Sequence, residues 1–371
     1  MRFAIKKWAD VLQIISGRNQ KEVLDPTGSY PIYGSGGIMG YANQYLCEAG
    51  TTIVGRKGTI DNPIFVNERF WNVDTAFGVS PGEQLNPRYL YFFCRHFNFK
   101  QLDKSTTIPS LAKRDLLSIE MPVPPLVEQK RIVEKIEELF SELDSGVETL
   151  KKTRQQLAVY RQAVYASIYE EKDMRTIIDF FEISSGLTKN SKRNELTIKM
   201  PYLRVANVYY NKLDLSEIKY IGVNRGEIQK TILQKGDLLF VEGNGSKEQI
   251  GRVAIWDGSI ANCLHQNHLI KGRPLGQMIP LYALFYLISA YGRKQILDVA
   301  SSTSGLYTLS ANKVRNLRIP FVDGDEQEKR IALIQSRLSV CDNIEKSVDA
   351  ALRQTESMRQ SILKKAFEGE L

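Results

Sequence analysis

The chain repeats itself. Glu128-Gln129 recurs as Glu326-Gln327, Asp144 as Asp342 and Arg161-Gln162 as Arg359-Gln360, each pair 198 positions apart. The same offset aligns Pro122 with Pro320 and Leu111 with Leu309, and sets Ser105-Thr106-Thr107 opposite Thr303-Ser304-Gly305. One register held over such a distance means duplication, and a duplicated chain folds as two related units. Nearer the start of each copy, DVLQIISG (Asp10 to Gly17) matches DFFEISSG (Asp179 to Gly186) at an offset of 169, so the second copy carries 29 further residues. The copies agree at their ends and diverge in their middles. That is the pattern of one scaffold presenting two different surfaces.

Two kinds of segment alternate. From Glu128 to about Glu170 there is no proline and a single glycine, Gly146. Ile136, Leu143, Leu150, Leu157 and Val164 fall at seven-residue spacing, the seam of a coiled-coil helix. At ~1.5 Å per residue such a helix would extend ~65 Å. Pro122, Pro124 and Pro125 give it a stiff start. The second copy, Asp325 to Glu368, places Ile334, Cys341, Ile344, Val348, Leu352 and Ile362 on its apolar side, with Thr355 and Arg359 interrupting. A lone helix cannot hide such a stripe, so the two are expected to pack antiparallel, the alternative being that each folds back on its own domain. The remaining segments are rich in Gly, Tyr, Phe and Asn. Short apolar runs (Thr51 to Val54, Asp237 to Val241) lie between turn signals such as Gly34-Ser35-Gly36-Gly37 and Gly243-Asn244-Gly245. Helical patches stand at Pro87 to Phe97 and Leu281 to Ala290. The reading is therefore two α+β domains, 1–122 and 173–322, joined by two long antiparallel coiled-coil helices, 123–172 and 323–371, with an internal pseudo-two-fold repeat.

The surplus positive charge sits on the domains. Residues 1–122 hold 14 basic and 11 acidic side chains and residues 173–322 hold 20 and 12, whereas the helical segments hold 8 and 9, then 8 and 10. Cationic domains with many amide, hydroxyl and aromatic groups suit a polyanion, and two of them on a rigid spacer suit duplex DNA, whose groove repeats every ~34 Å. The first eight residues lack the apolar core of a signal peptide, and the most apolar stretch, Met278 to Gly292, is too short to span a bilayer. Cys47, Cys94, Cys263 and Cys341 are scattered without paired spacing. A reduced, cytoplasmic protein with no membrane partner is expected.

Catalytic patterns fail on inspection. Asn62-Pro63-Ile64-Phe65 lacks the second proline of an amino-methyltransferase loop and no glycine-rich cofactor loop accompanies it. Gly243-Asn244-Gly245-Ser246-Lys247 has the wrong spacing for a phosphate loop. His265 and His268 have an i, i+3 spacing but no cysteine or carboxylate cluster beside them. No catalytic or metal-ligating residue is assigned.

The residues Ile108-Pro109-Ser110-Leu111 through Met121-Pro122-Val123-Pro124-Pro125-Leu126-Val127-Glu128-Gln129-Lys130-Arg131-Ile132, followed by a long helix and then repeated, resemble the specificity subunit of type I restriction-modification enzymes. Gly55-Arg56-Lys57-Gly58-Thr59 is similar to the glycine-basic loop of its target-recognition domains, while Phe321-Val322-Asp323-Gly324-Asp325 departs from the Pro-Pro-Leu run. The resemblance implies a non-catalytic DNA reader: each domain binds one half of a split, asymmetric sequence and the helices set the gap. It also implies two modification subunits docked on the frame and restriction subunits joined through them. AdoMet, ATP and Mg would then reside on those partners, with no cofactor in this chain.

The candidate DNA-contacting residues lie on loops. In the first domain they are Ser35, Arg56, Lys57, Arg69, Lys104, Ser105 and Thr106. In the second they are Lys189, Arg193, Arg204, Asn207, Asn244, Lys247, Gln266, Asn267, Ser302, Thr303 and Tyr307. Arg and Lys bond guanine or phosphate, and Asn and Gln can bond adenine in a bidentate manner. Arg204 lies in what reads as a core strand, Pro201 to Val205, which offers it a structural role instead. The rival reading of the whole chain is a coiled-coil interaction scaffold whose two domains bind proteins or glycans.

Overall fold

The computed structural model describes residues 3–371 apart from 168, 170–172 and 304; the side chains of Ser302 and Thr303 also lie outside that description. The chain divides into two compact units, Met1–Lys152 with Val348–Leu371, and Thr153–Ser347. Each contains one α+β domain and a stretch of both long helices, Leu126–Ala166 and Gly324–Glu368. The helical segments are therefore not separate bodies. Each long helix is shared between the two units.

In the first unit, Ile5–Lys7 pairs antiparallel with Glu120–Pro122 and ties the two ends of the domain together. A four-stranded antiparallel sheet runs in the order Leu12–Ser16, Ala76–Pro81, Thr51–Gly55, Ile64–Val66. A second sheet has Tyr30–Gly34 at its centre, antiparallel to Gly37–Ala42 and parallel to Trp71–Asn72. The second unit repeats this strand for strand. Met174–Thr176 pairs with Arg318–Pro320, and the larger sheet runs Phe181–Ser185, Leu269–Pro274, Leu238–Val241, Val253–Ile255. Its smaller sheet has Lys199–Leu203 between antiparallel Lys219–Gly222 and parallel Leu264–His265. The largest insertion of the second copy replaces the Ser35-Gly36 turn by residues 204–218, which carry their own hairpin, Val208–Tyr209 with Lys212–Leu213.

Residue pattern explains these elements. Leu12 and Ile14 alternate with exposed Gln13, and Phe181 and Ile183 with exposed Glu182, as strands with one covered face require. Thr51–Gly55 and Leu238–Val241 are buried throughout, as central strands. Gly17 and Gly186, the last residues of the repeated octapeptide, face backbone oxygens of Val73 and His265 that a Cβ would meet at 1.8 and 2.2 Å. Only glycine permits that approach. The helices expected at Pro87 and Leu281 run Pro87–His96 and Pro280–Ile288, each with proline in its first turn.

The long helices are rooted in the domain cores. Ile132, Val133, Ile136 and Phe140 of the first, with Leu363, Ala366 and Phe367 of the second, join Trp8, Tyr89 and Phe93 in one apolar cluster. Val164, Tyr165, Ile331 and Ile334 do the same with Phe180, Tyr282 and Phe285 in the other unit. Gln129 and Gln327, 198 positions apart, are fully buried and act as clamps. Gln129 Oε1 accepts from the Asn86 amide at 2.8 Å while its Nε2 donates to the Gln84 and Pro124 carbonyls, both at 2.8 Å. Gln327 accepts from Ile279 (2.8 Å) and donates to Gln277 (3.3 Å) and Val322 (2.8 Å). Along the seam Ile136, Leu157, Val164, Ile334 and Val348 are buried and Leu143, Leu150, Leu352 and Ile362 half-buried. Ile344 faces water and Cys341 takes the inward place, because 334, 341 and 348 keep the seven-residue step. Thr355 and Arg359 continue that seam rather than breaking it: both are partly buried, and Arg359 lies over the Phe140 ring at 4.9 Å. Among the described residues no helix is long and apolar enough to cross a membrane.

Candidate nucleic-acid interface

In both domains three chain segments meet where the central strand of the larger sheet ends. In the first domain Thr51–Gly55 runs out into Arg56-Lys57-Gly58, and the Arg56 and Lys57 amides donate to the Thr75 carbonyl at 2.8 and 3.1 Å. Gly58 N donates to Pro109 O and Leu111 N to Arg56 O, both at 2.9 Å, and Lys57 pairs with Ser110. In the second domain Leu238–Val241 runs out into Glu242-Gly243-Asn244; Glu242 N donates to His268 O (3.0 Å), and Leu309 N to Glu242 O (2.7 Å). Gly243–Asn244 pairs with Leu306–Thr308, which pairs with Ser301–Thr303. Ser110 and Thr308, like Leu111 and Leu309, are 198 apart. The two sites are thus the same place in the fold, built with different side chains.

The first site gathers Ser35, Arg56, Lys57, Lys104, Ser105 and Thr106. Ser35 Oγ is 3.6 Å from where a Gly58 Cβ would stand, which puts the turn of the Tyr30–Gly34/Gly37–Ala42 hairpin beside the basic loop. The Asp103 carboxylate folds the neighbouring loop by accepting from the Ser105 hydroxyl (2.6 Å), the Ser105 amide (3.0 Å) and the Ser110 amide (3.1 Å), and these bonds, the hydroxyl first, hold its pKa below the usual carboxylate value. Lys104 pairs with Asp115 at 2.9 Å. Arg56 lies over Phe77 (5.7 Å) and reaches the Asp74 carbonyl at 3.4 Å, and Lys57 is exposed with no side-chain bond or ion pair among the described residues. Arg69 stands elsewhere, beyond the start of the central strand, paired with Glu48 (2.8 Å) and stacked on Tyr45 (4.8 Å).

The second site gathers Asn244, Gln266, Asn267, Ser302, Thr303 and Tyr307. Asn244 is directly opposite Tyr307, and Tyr307 opposite Ser302, in register. The Ser302 and Thr303 side chains, expected to contact DNA, lie outside the described residues. Lys247 and Lys189 are exposed on flanking loops. His268 Nδ1 meets Glu242 Oε2 at 3.1 Å beside Asn244, a contact that no local pattern in the sequence signalled.

Two expected contacts, Arg193 and Asn207, are instead committed to the fold, which corrects their reading as free loop groups. Arg193 donates to the Thr188 (2.6 Å) and Gly222 (3.0 Å) carbonyls and to both oxygens of Glu227 (3.1 and 2.8 Å). Asn207 is buried, accepting from Arg204 N (2.9 Å) and donating to the Asp214 and Glu217 carbonyls (2.8 and 3.1 Å). Arg204 takes the structural role its strand position offered, bonding the Glu217 carboxylate at 2.9 Å. Arg193 and Arg204 are each paired to a carboxylate and Asn207 is bonded to backbone, so all three hold the fold of the second domain.

Among the described residues no group of three or more His, Cys, Asp or Glu side chains is placed to hold a metal ion. His265 is buried, its Nδ1–H donating to the Thr231 carbonyl (2.9 Å), and burial pulls its pKa down to about 4. The Cys47 and Cys263 thiols are pushed up to about 12 by burial, the opposite of an activated nucleophile.

Residues 2–156 and 169–354 each match the family model of the type I restriction modification DNA specificity domain. The EcoKI specificity subunit of a type I restriction enzyme from Escherichia coli K12 is 28% identical over 327 residues, covering 80% of this chain and 69% of that protein. The StySPI specificity subunit from Salmonella potsdam is 26% identical over 315 residues, 78% of this chain and 67% of that protein. A solved chain from a type I R-M system superposes with a TM-score of 0.74 at 15% identity, covering 100% of this chain and 98% of its own. The HsdS subunit from Thermoanaerobacter tengcongensis gives 0.56 at 16%, covering 100% and 97%. At these identities the structural likeness speaks for the fold alone.

Proposed function

The chain belongs to the family of type I restriction modification DNA specificity domains, and from that premise we propose that its two domains each read one half of a split DNA sequence. It is the specificity subunit of such a system, non-catalytic itself. What supports the finer reading is the matched pair of sites: the same strand end and the same returning loop in each domain, carrying Arg56 and Lys57 in one and Asn244, Gln266 and Tyr307 in the other. A conserved frame with exchanged side chains gives two readers of different sequences. The basic groups bond phosphate or guanine, and the amides suit adenine.

The long helices fix the gap between the half-sites. They also offer surface to partners: Val127, Val159, Tyr160, Val340, Ile344 and Met358 are exposed apolar side chains on them. Modification subunits dock there in this reading, bringing AdoMet and the adenine chemistry, while restriction subunits bring ATP and Mg. The complex would work in the cytoplasm, where its DNA lies.

The test is a titration of the chain, assembled with its modification subunits, against a labelled duplex at two salt concentrations. Phosphate contacts make affinity fall steeply with salt. A flat response would favour an interaction scaffold with non-DNA ligands.

A further inference from the structure

A three-residue loop recurs in both domains with every side chain exchanged. Val73-Asp74-Thr75 joins Trp71–Asn72 of the smaller sheet to Ala76–Pro81 of the larger one. Gln266-Asn267-His268 joins Leu264–His265 to Leu269–Pro274 in the same way. Matching backbone hydrogen bonds hold the two loops. Val73 N donates to Tyr33 O (2.9 Å), Ala76 N to Val73 O (2.9 Å), Arg18 N to Asn72 O (3.0 Å) and Arg56 N to Thr75 O (2.8 Å). Their counterparts run from Gln266 N to Leu203 O (2.9 Å), Leu269 N to Gln266 O (2.9 Å), Leu187 N to His265 O (2.9 Å) and Glu242 N to His268 O (3.0 Å). Asp74 therefore stands where the second domain has Asn267. Their spacing of 193 belongs to neither the 169 nor the 198 register of the repeat, so strand pairing alone reveals the match.

Asp74 is exposed, and its carboxylate makes no hydrogen bond or ion pair among the described residues. Other loop aspartates are committed to their own turns: Asp25, Asp103, Asp214 and Asp257 each accept from the amide two residues on, at 2.9 to 3.0 Å. In the Asp74 loop that amide, Ala76 N, already bonds the Val73 carbonyl. Buried Asn72 donates to the Ala76 carbonyl at 3.1 Å and so braces the loop from inside. Arg56 Nη1 reaches the Asp74 carbonyl at 3.4 Å. A braced loop thus presents an uncommitted carboxylate beside the basic Arg56-Lys57 segment.

A carboxylate in that place repels every phosphate it meets, so it weakens binding to DNA of any sequence unless a base donor faces it. In the major groove those donors are the amino groups of cytosine and adenine. Adenine sets its N7 acceptor beside the amino group, which suits an amide and repels a carboxylate, whereas cytosine offers the donor alone. We propose that Asp74 is a specificity-determining residue of the first domain, its carboxylate accepting from the N4 amino group of one cytosine. Asn267, at the same place in the second domain, pairs with adenine. The proposal rests on the DNA-reading function proposed above and deepens it by assigning one base to one residue.

The test measures methylation by the chain assembled with its modification subunits, on duplexes carrying its motif with each base pair of both half-sites varied in turn. With the unaltered chain, one position of one half-site should require cytosine, each replacement there lowering kcat/KM on the order of ten- to a hundredfold. Asp74→Asn should move that requirement to adenine and Asp74→Ala should abolish it, with the other half-site as strict as before. Asn267→Asp should make the reverse change, adenine to cytosine, in the other half-site. Melting curves of the variants should match that of the unaltered chain. Unchanged profiles in the Asp74 variants, relaxation of both half-sites, a relaxed position that never required cytosine, or a uniform loss on all duplexes with earlier melting would each overturn the assignment and leave the DNA reader standing. Rates indifferent to sequence in the unaltered complex would overturn both.

Discussion

Arg161 Nη2 meets the carboxylate of Asp342 at 2.7 Å, and its repeat-mate Arg359 meets Asp144, the repeat-mate of Asp342. Each residue of one pair is 198 positions from its counterpart in the other, so the duplicated Arg and Asp are mutual partners across the two helices. Arg161 also reaches Glu345 at 2.8 Å. These bridges fix the antiparallel register of the helices within each unit.

Reversing the first bridge tests that role. Arg161→Asp should destabilise the chain by about 1 kcal/mol, a modest amount because Asp342 is half open to water. Adding Asp342→Arg should recover part of the loss in urea denaturation. If the double variant is no more stable than Arg161→Asp, the bridge does not set register.

The glutamine clamps carry more. Gln129→Ala would leave the Asn86 amide and the Gln84 and Pro124 carbonyls without their partner, at about 2–3 kcal/mol. Gln327→Ala should cost a similar amount. Gln129→Glu should be worse, since it buries a charge facing carbonyl oxygens. Denaturant midpoints of the three variants are the check.

Acid should find His265. Burial sets its folded pKa to about 4, against ~6.5 in the unfolded chain. The stability due to the neutral ring is complete above pH ~6.5 and is lost as pH falls through 4, because the unfolded chain then binds the extra proton; the whole effect is at most about 3 kcal/mol. A His265→Gln variant should show a flatter decline in stability over that window. An unchanged slope would place the acid sensitivity elsewhere.

The helix ruler has a length test. One heptad added to each long helix adds ~10 Å, and at ~3.4 Å per base pair the tolerated gap should grow by about three base pairs. Methylation of a set of duplexes with graded gaps reads this directly, and an unchanged preference would remove the ruler role.

How much of this was legible beforehand follows from where the physics is local. Gly17 and Gly186 mark a close backbone approach, Gln129 and Gln327 a buried clamp, and the heptads a seam; each leaves a residue-level trace that duplication doubles. The frame was therefore readable. Arg193 and Asn207 were misread because their partners, Glu227 and the Asp214 carbonyl, are brought to them by tertiary folding that leaves no local pattern, whereas the structural role of Arg204 was open from its strand position. The loops around Lys57 and Asn244 could be nominated from glycine and charge, but that the two nominations occupy one place in the fold depended on strand pairing.

The most direct measurement is a genome-wide map of methylated adenines in cells holding the partner modification subunits, with this chain, without it, and with its Arg56→Ala/Lys57→Ala variant. A two-domain DNA reader gives a split motif that appears only with the chain, and a variant that relaxes one half of the motif while the other half stays intact. A methylation pattern indifferent to the chain, or both halves relaxing together, would contradict it.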